Sequence, residues 1–224
     1  AAEGKLAALN ARFRDHTCKL FEKHGLTNVG YWVPVDKSDS RLIYVISSPS
    51  QAAHKKSWQA FLNDPDWKKA YANSIKDGRL VGKIDSTFLS ATDYSPAVKP
   101  IVTKDIRVFE LRTYTTAPDR LKNLHARFRD HTCKIFEKHD MTNVAYWTPM
   151  DANKGKSNTL IYIISHFGHG QPFEHLAQAK KNWRGFGGDP AWKKARAASE
   201  KDGKILAKAP NKVFMNAVDY SPIQ

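Results

Sequence analysis

The first segment of the chain carries a helical pattern of apolar positions. Its members recur at alternating intervals of three and four residues: Leu6, Leu9, Phe13, Thr17, Leu20 and His24. This spacing predicts an amphipathic helix over residues 2–23, with one face towards a core. On an ideal helical wheel, His16 lies at the edge of that face and Cys18 lies nearly opposite it. Gly25 is a typical residue for the end of such a helix.

The pattern changes to short strands after this helix. Residues 28–35 and 41–47 are rich in β-branched and aromatic side chains, which favours two strands joined by a polar turn. A second helical region follows over residues 50–75, and Asp64 interrupts it as an N-cap with a proline at the next position. Residues 87–92 predict a last strand. This mixture of helices and short strands indicates an α+β fold.

The whole pattern occurs twice. Residues 12–24 read RFRDHTCKLFEKH and residues 127–139 read RFRDHTCKIFEKH, so a single position differs. The match continues through both strands and the second helical region, and it ends in the motif Asp-Tyr-Ser-Pro at residues 93–96 and 219–222. The repeated unit is too long for a solenoid repeat. The sequence therefore indicates a duplicated domain.

The duplication sets the expected domain boundaries. We expect a first repeat at residues 1–97, a linker at residues 98–105 and a second repeat at residues 106–224. The second repeat opens with an alternating strand at residues 108–114, which gives it the β-α-β-β-α-β order of a ferredoxin-like unit with an antiparallel sheet. The first repeat starts after the corresponding position. We therefore expect that the natural polypeptide begins earlier and supplies this strand; the alternative is donation by a second molecule.

Composition and charge limit the kinds of partner. The chain has 224 residues, of which 41% are hydrophobic, and its formal net charge at pH 7 is +14. Such a charge attracts anions, although we interpret most of it as a solvated surface. The apolar runs fall short of the roughly 18 residues that span a bilayer, so no membrane span is expected. Cys18 and Cys133 are equivalent positions of the two repeats and do not indicate a disulfide framework.

Several motifs of the second repeat together resemble the NIPSNAP domain family. They are FELRTYT at residues 109–115, ARFRDHT at residues 126–132 and NVAYW at residues 143–147. The resemblance extends over nearly the whole chain twice. It implies the dimeric α/β-barrel fold, in which two ferredoxin-like units join their sheets, here as an internal pseudo-dimer or within a homo-oligomer.

The resemblance also bears on location and activity. The chain is most similar to bacterial proteins with two such domains, which are often exported, so the resemblance favours a periplasmic or extracellular location. The family has no single agreed chemistry, and the related barrel enzymes include monooxygenases and haem proteins. Whether this chain is an enzyme therefore stays open.

The resemblance implies a ligand site in the gap between helix and sheet, and we expect His16 and His131 to face it. A histidine can act as an acid, a base or a ligand near neutral pH, so we predict His131 and His16 as acid/base or polarising groups. The alternative is that both histidines are hydrogen-bonded parts of the core margin. The tyrosines predicted to line the site and orient a ligand are Tyr31, Tyr44, Tyr114, Tyr146 and Tyr162.

The opening strand of the second repeat carries a charged face. Glu110, Arg112 and Tyr114 alternate along it, so they point to one side, while Phe109 and Leu111 point to the other. We expect the two apolar residues to contact the helices and the charged side to face away from them. Arg112 is a candidate to stabilise negative charge on a substrate. The alternative is an internal ion pair between Arg112 and Glu110.

Metal-site spacing and cofactor motifs are absent from the sequence. His16 and His24 are eight positions apart with no carboxylate beside both, and we predict no metal site. His166, His169 and His175 cluster in the second repeat only, and we interpret them as part of a flexible loop rather than a metal or haem site. Chemistry without a cofactor is therefore preferred.

Nucleic acid is not an expected partner. Residues 184–187 (RGFG) resemble part of an RNA-binding signature. That signature must lie on a central strand to stack bases, whereas these residues fall in a predicted amphipathic helix.

Two hypotheses about function follow from the sequence. In the first, the protein binds a small, partly apolar molecule between helix and sheet of each repeat, with cofactor-free catalysis as an extension. In the second, the protein is a non-catalytic module whose basic surface docks on an acidic protein partner.

Overall fold

The computed structural model describes residues 1–100, 107–167 and 172–224. The chain forms two compact units. Unit 1 contains Ala1–Ser86, residues 99–100 and Asn216–Gln224, and unit 2 contains Thr87–Val98 and the described residues from 107 to 215. The units and the sequence repeats are thus different sets of residues, because the end of each repeat belongs to the unit built mainly by the other.

Unit 1 contains an interrupted helix, two antiparallel strands and a helical pair. Its elements are α1 (Leu6–Arg12), a π-helical turn (Phe13–Thr17), α2 (Cys18–Lys23), β1 (Thr27–Pro34), β2 (Ile43–Ser47), α3 (Gln51–Asn63) and α4 (Pro65–Ser74). β1 and β2 pair with Tyr31 opposite Tyr44. Directly opposite side chains lie on the same face of a sheet, so both tyrosines point to the same side.

Unit 2 has the same arrangement with a longer sheet. Its elements are β3 (Leu89–Ala91), β4 (Arg107–Thr115), α5 (Leu121–Arg127), a π-helical turn (Phe128–Thr132), α6 (Cys133–Lys138), β5 (Met141–Pro149), a 3-10 turn (Ala152–Lys154), β6 (Thr159–Phe167), α7 (Pro172–Gly188), α8 (Pro190–Ser199) and β7 (Asn211–Ala217). The strand order in this unit is β7-β4-β6-β5-β3, with antiparallel neighbours. The last two residues of β7 belong to unit 1.

The second repeat has the element order expected from the sequence. Strand β4 comes first, α5 and α6 follow, then β5 and β6, then α7 and α8, and β7 closes the repeat. β4 lies between β6 and β7 and pairs with both. The predicted fold class, α+β with an antiparallel sheet and two repeats, is confirmed.

The residues that begin and end the helices explain how the helical layer is held. Asp64 is the predicted N-cap of α4 and accepts hydrogen bonds from the N–H groups of Asp66 and Trp67. Asp189 caps α8 in the same way. Gly25 ends the first long helix with φ +77°, and Asp140 adopts φ +55° at the matching place. A left-handed residue is a common helix ending, and aspartate tolerates it better than most residues.

The tail motif Asp-Tyr-Ser-Pro of each repeat packs inside the unit of the other repeat. In unit 2, the N–H of Tyr146 donates to Oγ of Ser95 at 3.0 Å. In unit 1, the N–H of Tyr31 donates to Oγ of Ser221 at 2.9 Å. The motif that closes each repeat in sequence therefore completes the other unit in space.

Aromatic rings fill the layer between helix and sheet in each unit. The buried rings of unit 1 are Phe13, Phe21, Tyr31 and Phe61, and those of unit 2 are Tyr114, Phe128, Phe136, Tyr146, Tyr162 and Phe186. Partly buried tryptophans pack against them from the helical pair, as core packing predicts: Trp58, Trp67, Trp183 and Trp192. Within the described part of the chain, the longest apolar helical stretches are too short or too polar to cross a bilayer.

Candidate functional site

The two histidines predicted as catalytic do not face the layer between helix and sheet. His16 and His131 are both exposed, so the expected orientation is wrong. Each lies in a π-helical turn, where hydrogen bonds run from residue i to i+5 and the turn is wider than in an α-helix. Thr17 and Thr132 take the inward position instead, and each hydroxyl donates to a backbone carbonyl five residues earlier at 3.1 Å.

The same turns bring the cysteines towards the core. Cys18 and Cys133 are partly buried and pack against the aromatic clusters, although an ideal wheel places them on the outer side. Burial raises the pKa of each thiol to about 11. Both are therefore protonated near neutral pH and poor nucleophiles, since the thiolate is the reactive form.

The predicted ligand-binding tyrosines form the core of the aromatic layer. Tyr31 stacks on Tyr44 with ring centroids 5.6 Å apart, and Tyr146 stacks on Tyr162 at 5.2 Å. Tyr114 meets the ring of Tyr162 edge-on at 5.3 Å. The hydroxyls of Tyr31 and Tyr146 donate to asparagine side chains three residues earlier. These rings occupy the inner part of the gap that the sequence predicts as a ligand site.

The charged face of β4 points towards the helices, contrary to expectation. Nη1 of Arg112 donates to Oε1 of Glu110 at 2.7 Å, and Nε1 of Trp183 on α7 donates to Oε2 of Glu110 at 2.6 Å. The Arg112 guanidinium also lies 4.1 Å from the centroid of the Trp183 ring. Trp183 thus offers a donor to the carboxylate and a ring face to the cation, which lets the ion pair pack against a helix.

A histidine completes this buried network. Nε2 of His166 lies 3.0 Å from Oε2 of Glu110, and both side chains are fully buried. Burial alone would raise the pKa of Glu110, but the hydrogen bond from His166 and the charge of Arg112 outweigh it and lower that pKa. Glu110 thus has three partners, Arg112, His166 and Trp183, and Arg112 is held as an internal ion pair. His169 and the His175 side chain lie outside the described residues.

A cleft opens elsewhere in unit 2, at the edge of the layer between helix and sheet. Its volume is about 290 Å³, and its lining comes from α5, the following π-helical turn, β5 and the tail of the first repeat: Thr92, Asp93, Lys122, His125, Arg129 and Thr148. Nδ1 of His125 lies 2.8 Å from the hydroxyl of Tyr94. The ring of Tyr94 packs in turn against Phe128 and Tyr146, which connects the cleft to the aromatic core.

The electrostatics of the cleft come from one ion pair and three further groups. Nε and Nη2 of Arg129 each donate to Asp93 at 2.7 Å, and this pairing lowers the pKa of Asp93. Burial, with the nearby charge of Arg129, lowers the pKa of His125, so the imidazole is neutral near pH 7. Burial raises the pKa of Tyr94. Lys122 is exposed and makes no ion pair within the described residues.

Two groups of the cleft have unused hydrogen-bonding capacity. Among the described residues, the second ring nitrogen of His125 has no partner. The hydroxyl of Thr92 is buried and makes no hydrogen bond of ordinary geometry within the same set. Buried polar groups normally have partners, so the Thr92 hydroxyl marks a place for a ligand atom or water, and the nitrogen of the half-buried His125 can be reached from the cleft.

A second hollow of unit 2 is larger but has fewer available groups. Its volume is about 580 Å³, and Glu137, Asn143 and Gln178 are among its lining residues. The amide of Asn143 already donates to Glu137 at 3.0 Å, and Gln178 donates to Asn182 at 2.7 Å. These side-chain amides are therefore used within the fold. Among the described residues, three or more histidine, cysteine, aspartate or glutamate side chains do not converge at any point suited to a metal ion.

Sequence reasoning missed the cleft because it followed identities between the repeats. His125 and Lys122 stand where the first repeat has Asn10 and Ala7. Comparing where the two repeats differ would have singled out both positions, because they lie three residues apart on α5, just before the shared stretch that begins at Arg127. The contribution of Thr92 and Asp93 could not be read from spacing, since it depends on the exchange of the tails.

Together these features define a class of protein: a duplicated α+β protein with antiparallel sheets, exchanged tails and a polar cleft in one of its units. The chain belongs to the NIPSNAP family, whose model matches residues 1–96 and 109–222. The resemblance expected from the motifs is thereby confirmed, and both repeats are included.

Two solved structures are similar to the chain. A NIPSNAP family protein of unknown function from Agrobacterium tumefaciens is 16% identical with a TM-score of 0.43, over 55% of this chain and 97% of that one. A proposed monooxygenase from Lactobacillus acidophilus is 13% identical with a TM-score of 0.52, over 92% of this chain and 87% of that one. The second likeness shows a shared fold. No curated protein sequence matches the chain.

Proposed function

We propose that this NIPSNAP protein binds a small molecule in the cleft of unit 2, between helix and sheet of the second repeat. The observation that carries the proposal is the environment of His125, whose ring is held on one side by Tyr94 and has a nitrogen without a partner among the described residues on the other. A partly apolar molecule suits the site because the cleft borders the aromatic layer, to which Tyr94 belongs through its contacts with Phe128 and Tyr146.

The cleft also supports a simple form of chemistry. A neutral imidazole can accept a proton from a bound molecule, and the lowered pKa of His125 keeps it in that form near neutral pH. Tyr94 would orient the ring through Nδ1. This arrangement would act without a cofactor. His16 and His131, which are exposed, and Arg112, which is paired with Glu110, have no part in the proposed binding.

The test is a fragment screen monitored by the NMR signals of the full chain. We expect weak ligands to shift the signals of Lys122, His125 and Thr148. His125→Asn, which installs the first repeat's residue, should lower the affinity of such ligands about tenfold by removing one hydrogen bond to a partly buried ligand. His131→Asn changes an exposed histidine of the same helical region and serves as the control.

Two results would contradict the proposal. The first is a screen in which ligands bind but leave the cleft signals unmoved. The second is a ligand whose affinity depends on His131 and not on His125, which would restore the original assignment of the exposed histidines.

A second candidate function is docking on an acidic protein partner. The net charge of +14 favours it, because a basic surface attracts acidic partners at low salt. Such binding would weaken steeply between low and high ionic strength and would survive His125→Asn. Binding that responds to the His125 substitution and little to salt would favour the cleft instead.

A further inference from the structure

The two units keep one half of the cleft and differ in the other half. Unit 1 repeats the ion pair, with Nε and Nη2 of Arg14 donating to Asp219 at 2.8 and 2.7 Å. It also repeats the tyrosine, since the Tyr220 hydroxyl donates to Oδ1 of Asn10 at 2.7 Å, where unit 2 has Tyr94 and His125. These shared parts hold the tail motif in place in both units, so they do not by themselves indicate a ligand.

Of the four remaining positions of the lining, three are apolar in unit 1 and polar in unit 2, and the fourth is polar in both. Alignment of the repeats pairs Lys122 with Ala7, His125 with Asn10, Thr92 with Val218 and Thr148 with Val33. Both ends of the Asn10 amide have a partner within the fold, because Nδ2 donates to the carbonyl of Leu6 at 2.9 Å while Oδ1 accepts from Tyr220. The other three of these positions in unit 1 carry apolar side chains.

The groups present only in unit 2 share a chemical character. Lys122 is a cation with three donors, and the hydroxyls of Thr92 and Thr148 can donate as well. The two oxygens of Asp93 are both engaged by Arg129, which neutralises that carboxylate. With His125 neutral, the lining carries a net charge of +1 from Lys122, Arg129 and Asp93. A ligand cation would meet this charge unfavourably, whereas an anion would be attracted.

We infer that the cleft of unit 2 binds the carboxylate group of a small organic anion, and that the chain has a single such site. The inference rests on the proposed function, which it makes more specific. Lys122 supplies the opposite charge, and the threonine hydroxyls supply hydrogen bonds to the carboxylate oxygens. Unit 1, with Ala7, Asn10, Val33 and Val218, does not bind it.

The test compares two probes of the same shape, benzoate and benzamide, on the full chain by NMR titration. Benzoate should bind at one site per chain, about tenfold more tightly than benzamide, because only benzoate carries the charge. Lys122→Ala, the first repeat's residue at an exposed position, should weaken benzoate about fivefold and leave benzamide unchanged. Lys134→Ala, an exposed lysine outside the cleft lining, is the matched control.

The reverse substitutions provide an independent test. A variant with Ala7→Lys, Asn10→His, Val33→Thr and Val218→Thr installs the unit 2 lining in unit 1. We expect it to bind two molecules of benzoate, with new shifts of the NMR signals of α1 and β1. A stoichiometry of one in this variant, with the fold intact by its spectrum, would mean that the four differences do not determine binding.

The outcomes separate this inference from the proposed function. Equal affinity for benzoate and benzamide at the cleft would overturn the carboxylate assignment and leave small-molecule binding standing. Two benzoate sites in the unaltered chain would overturn the single-site assignment. If neither these probes nor any screened fragment moves the signals of the cleft, both the inference and the proposed function fail.

Discussion

His125 and Asn10 occupy the same position in the two repeats, and each contacts the hydroxyl of a tyrosine from an exchanged tail. Each end of the Asn10 amide then has a partner in the fold, while the imidazole keeps a second nitrogen without a partner among the described residues. Under the proposed function, this position serves only the fold in unit 1 and also the ligand site in unit 2.

Asp189 shows how a buried carboxylate can link stability to pH. It accepts hydrogen bonds from Lys138 at 2.7 Å and from His139, which lies 2.8 Å away, and it caps α8. The lysine, followed by the histidine, holds the pKa of Asp189 far below its ordinary range. A depressed pKa in the folded state means that the ionised carboxylate stabilises the protein above the unfolded-state pKa of about 4. That contribution declines as the pH falls from about 4 towards the folded-state pKa.

We therefore predict that Asp189→Asn lowers the thermal unfolding midpoint at pH 7 and reduces its fall between pH 5 and pH 2. The asparagine keeps part of the cap but has no charge to lose. Asp202→Asn, at an exposed aspartate, should change neither the midpoint at pH 7 nor its fall between pH 5 and pH 2. If the midpoint of Asp189→Asn falls over this pH range as much as that of the parent protein, the capping carboxylate does not control acid stability.

Among elements, the clearest dependence is that of β1 on the tail of the second repeat. Ser221 is 3% exposed and joins the two, accepting from the N–H of the fully buried Tyr31 and donating to the carbonyl of Ile223 at 2.7 Å. We expect Ser221→Ala to reduce the free energy of unfolding by about 1–3 kcal/mol, because it leaves a buried N–H without its acceptor.

Denaturant unfolding measures this change. Ser90→Ala, at an exposed serine of β3, should alter the free energy of unfolding by no more than about 0.5 kcal/mol. A loss for Ser221→Ala as small as that of the control would mean that the tail adds little to β1.

The helices and strands were largely predictable, whereas side-chain directions in two of them were not. The spacing of Leu9, Phe13 and Leu20 indicated the first helix, and all three are buried. His16 and Cys18 were misplaced because a wheel assumes a constant turn, and the π-helical turn between α1 and α2 breaks that assumption. The face of β4 was misassigned because alternation separates two sides but does not say which one meets Trp183.

At the scale of the whole molecule, the division into units differs from the division into repeats. Residues 87–96 come from the first repeat and lie in unit 2, and Asn216–Gln224 come from the second repeat and lie in unit 1. The sequence pattern does not predict this exchange, because the tail motif has the same sequence whichever unit it packs in. The cleft depends on it, since Thr92 and Asp93 arrive with the exchanged tail.

The exchange predicts how fragments of the chain behave. Residues 98–224 alone lack the tail that completes unit 2, whereas residues 87–224 retain it. We expect the longer fragment to unfold cooperatively at a higher temperature than the shorter one, as followed by circular dichroism. Mixing residues 1–97 with residues 98–224 should restore part of the lost stability. Equal midpoints for the two fragments, with no gain on mixing, would show that the tail is dispensable.

The exchanged tails also bear on how such a gene can evolve. After an ordinary tandem duplication, one copy can be deleted and the other survives as it was before. Here a deletion of either copy would also remove a segment from the survivor's unit, so selection acts on both copies together. Positions such as Ala7 and Lys122 can still diverge while the shared framework stays. One repeat can acquire a new function only while its tail continues to complete the unit of the other repeat.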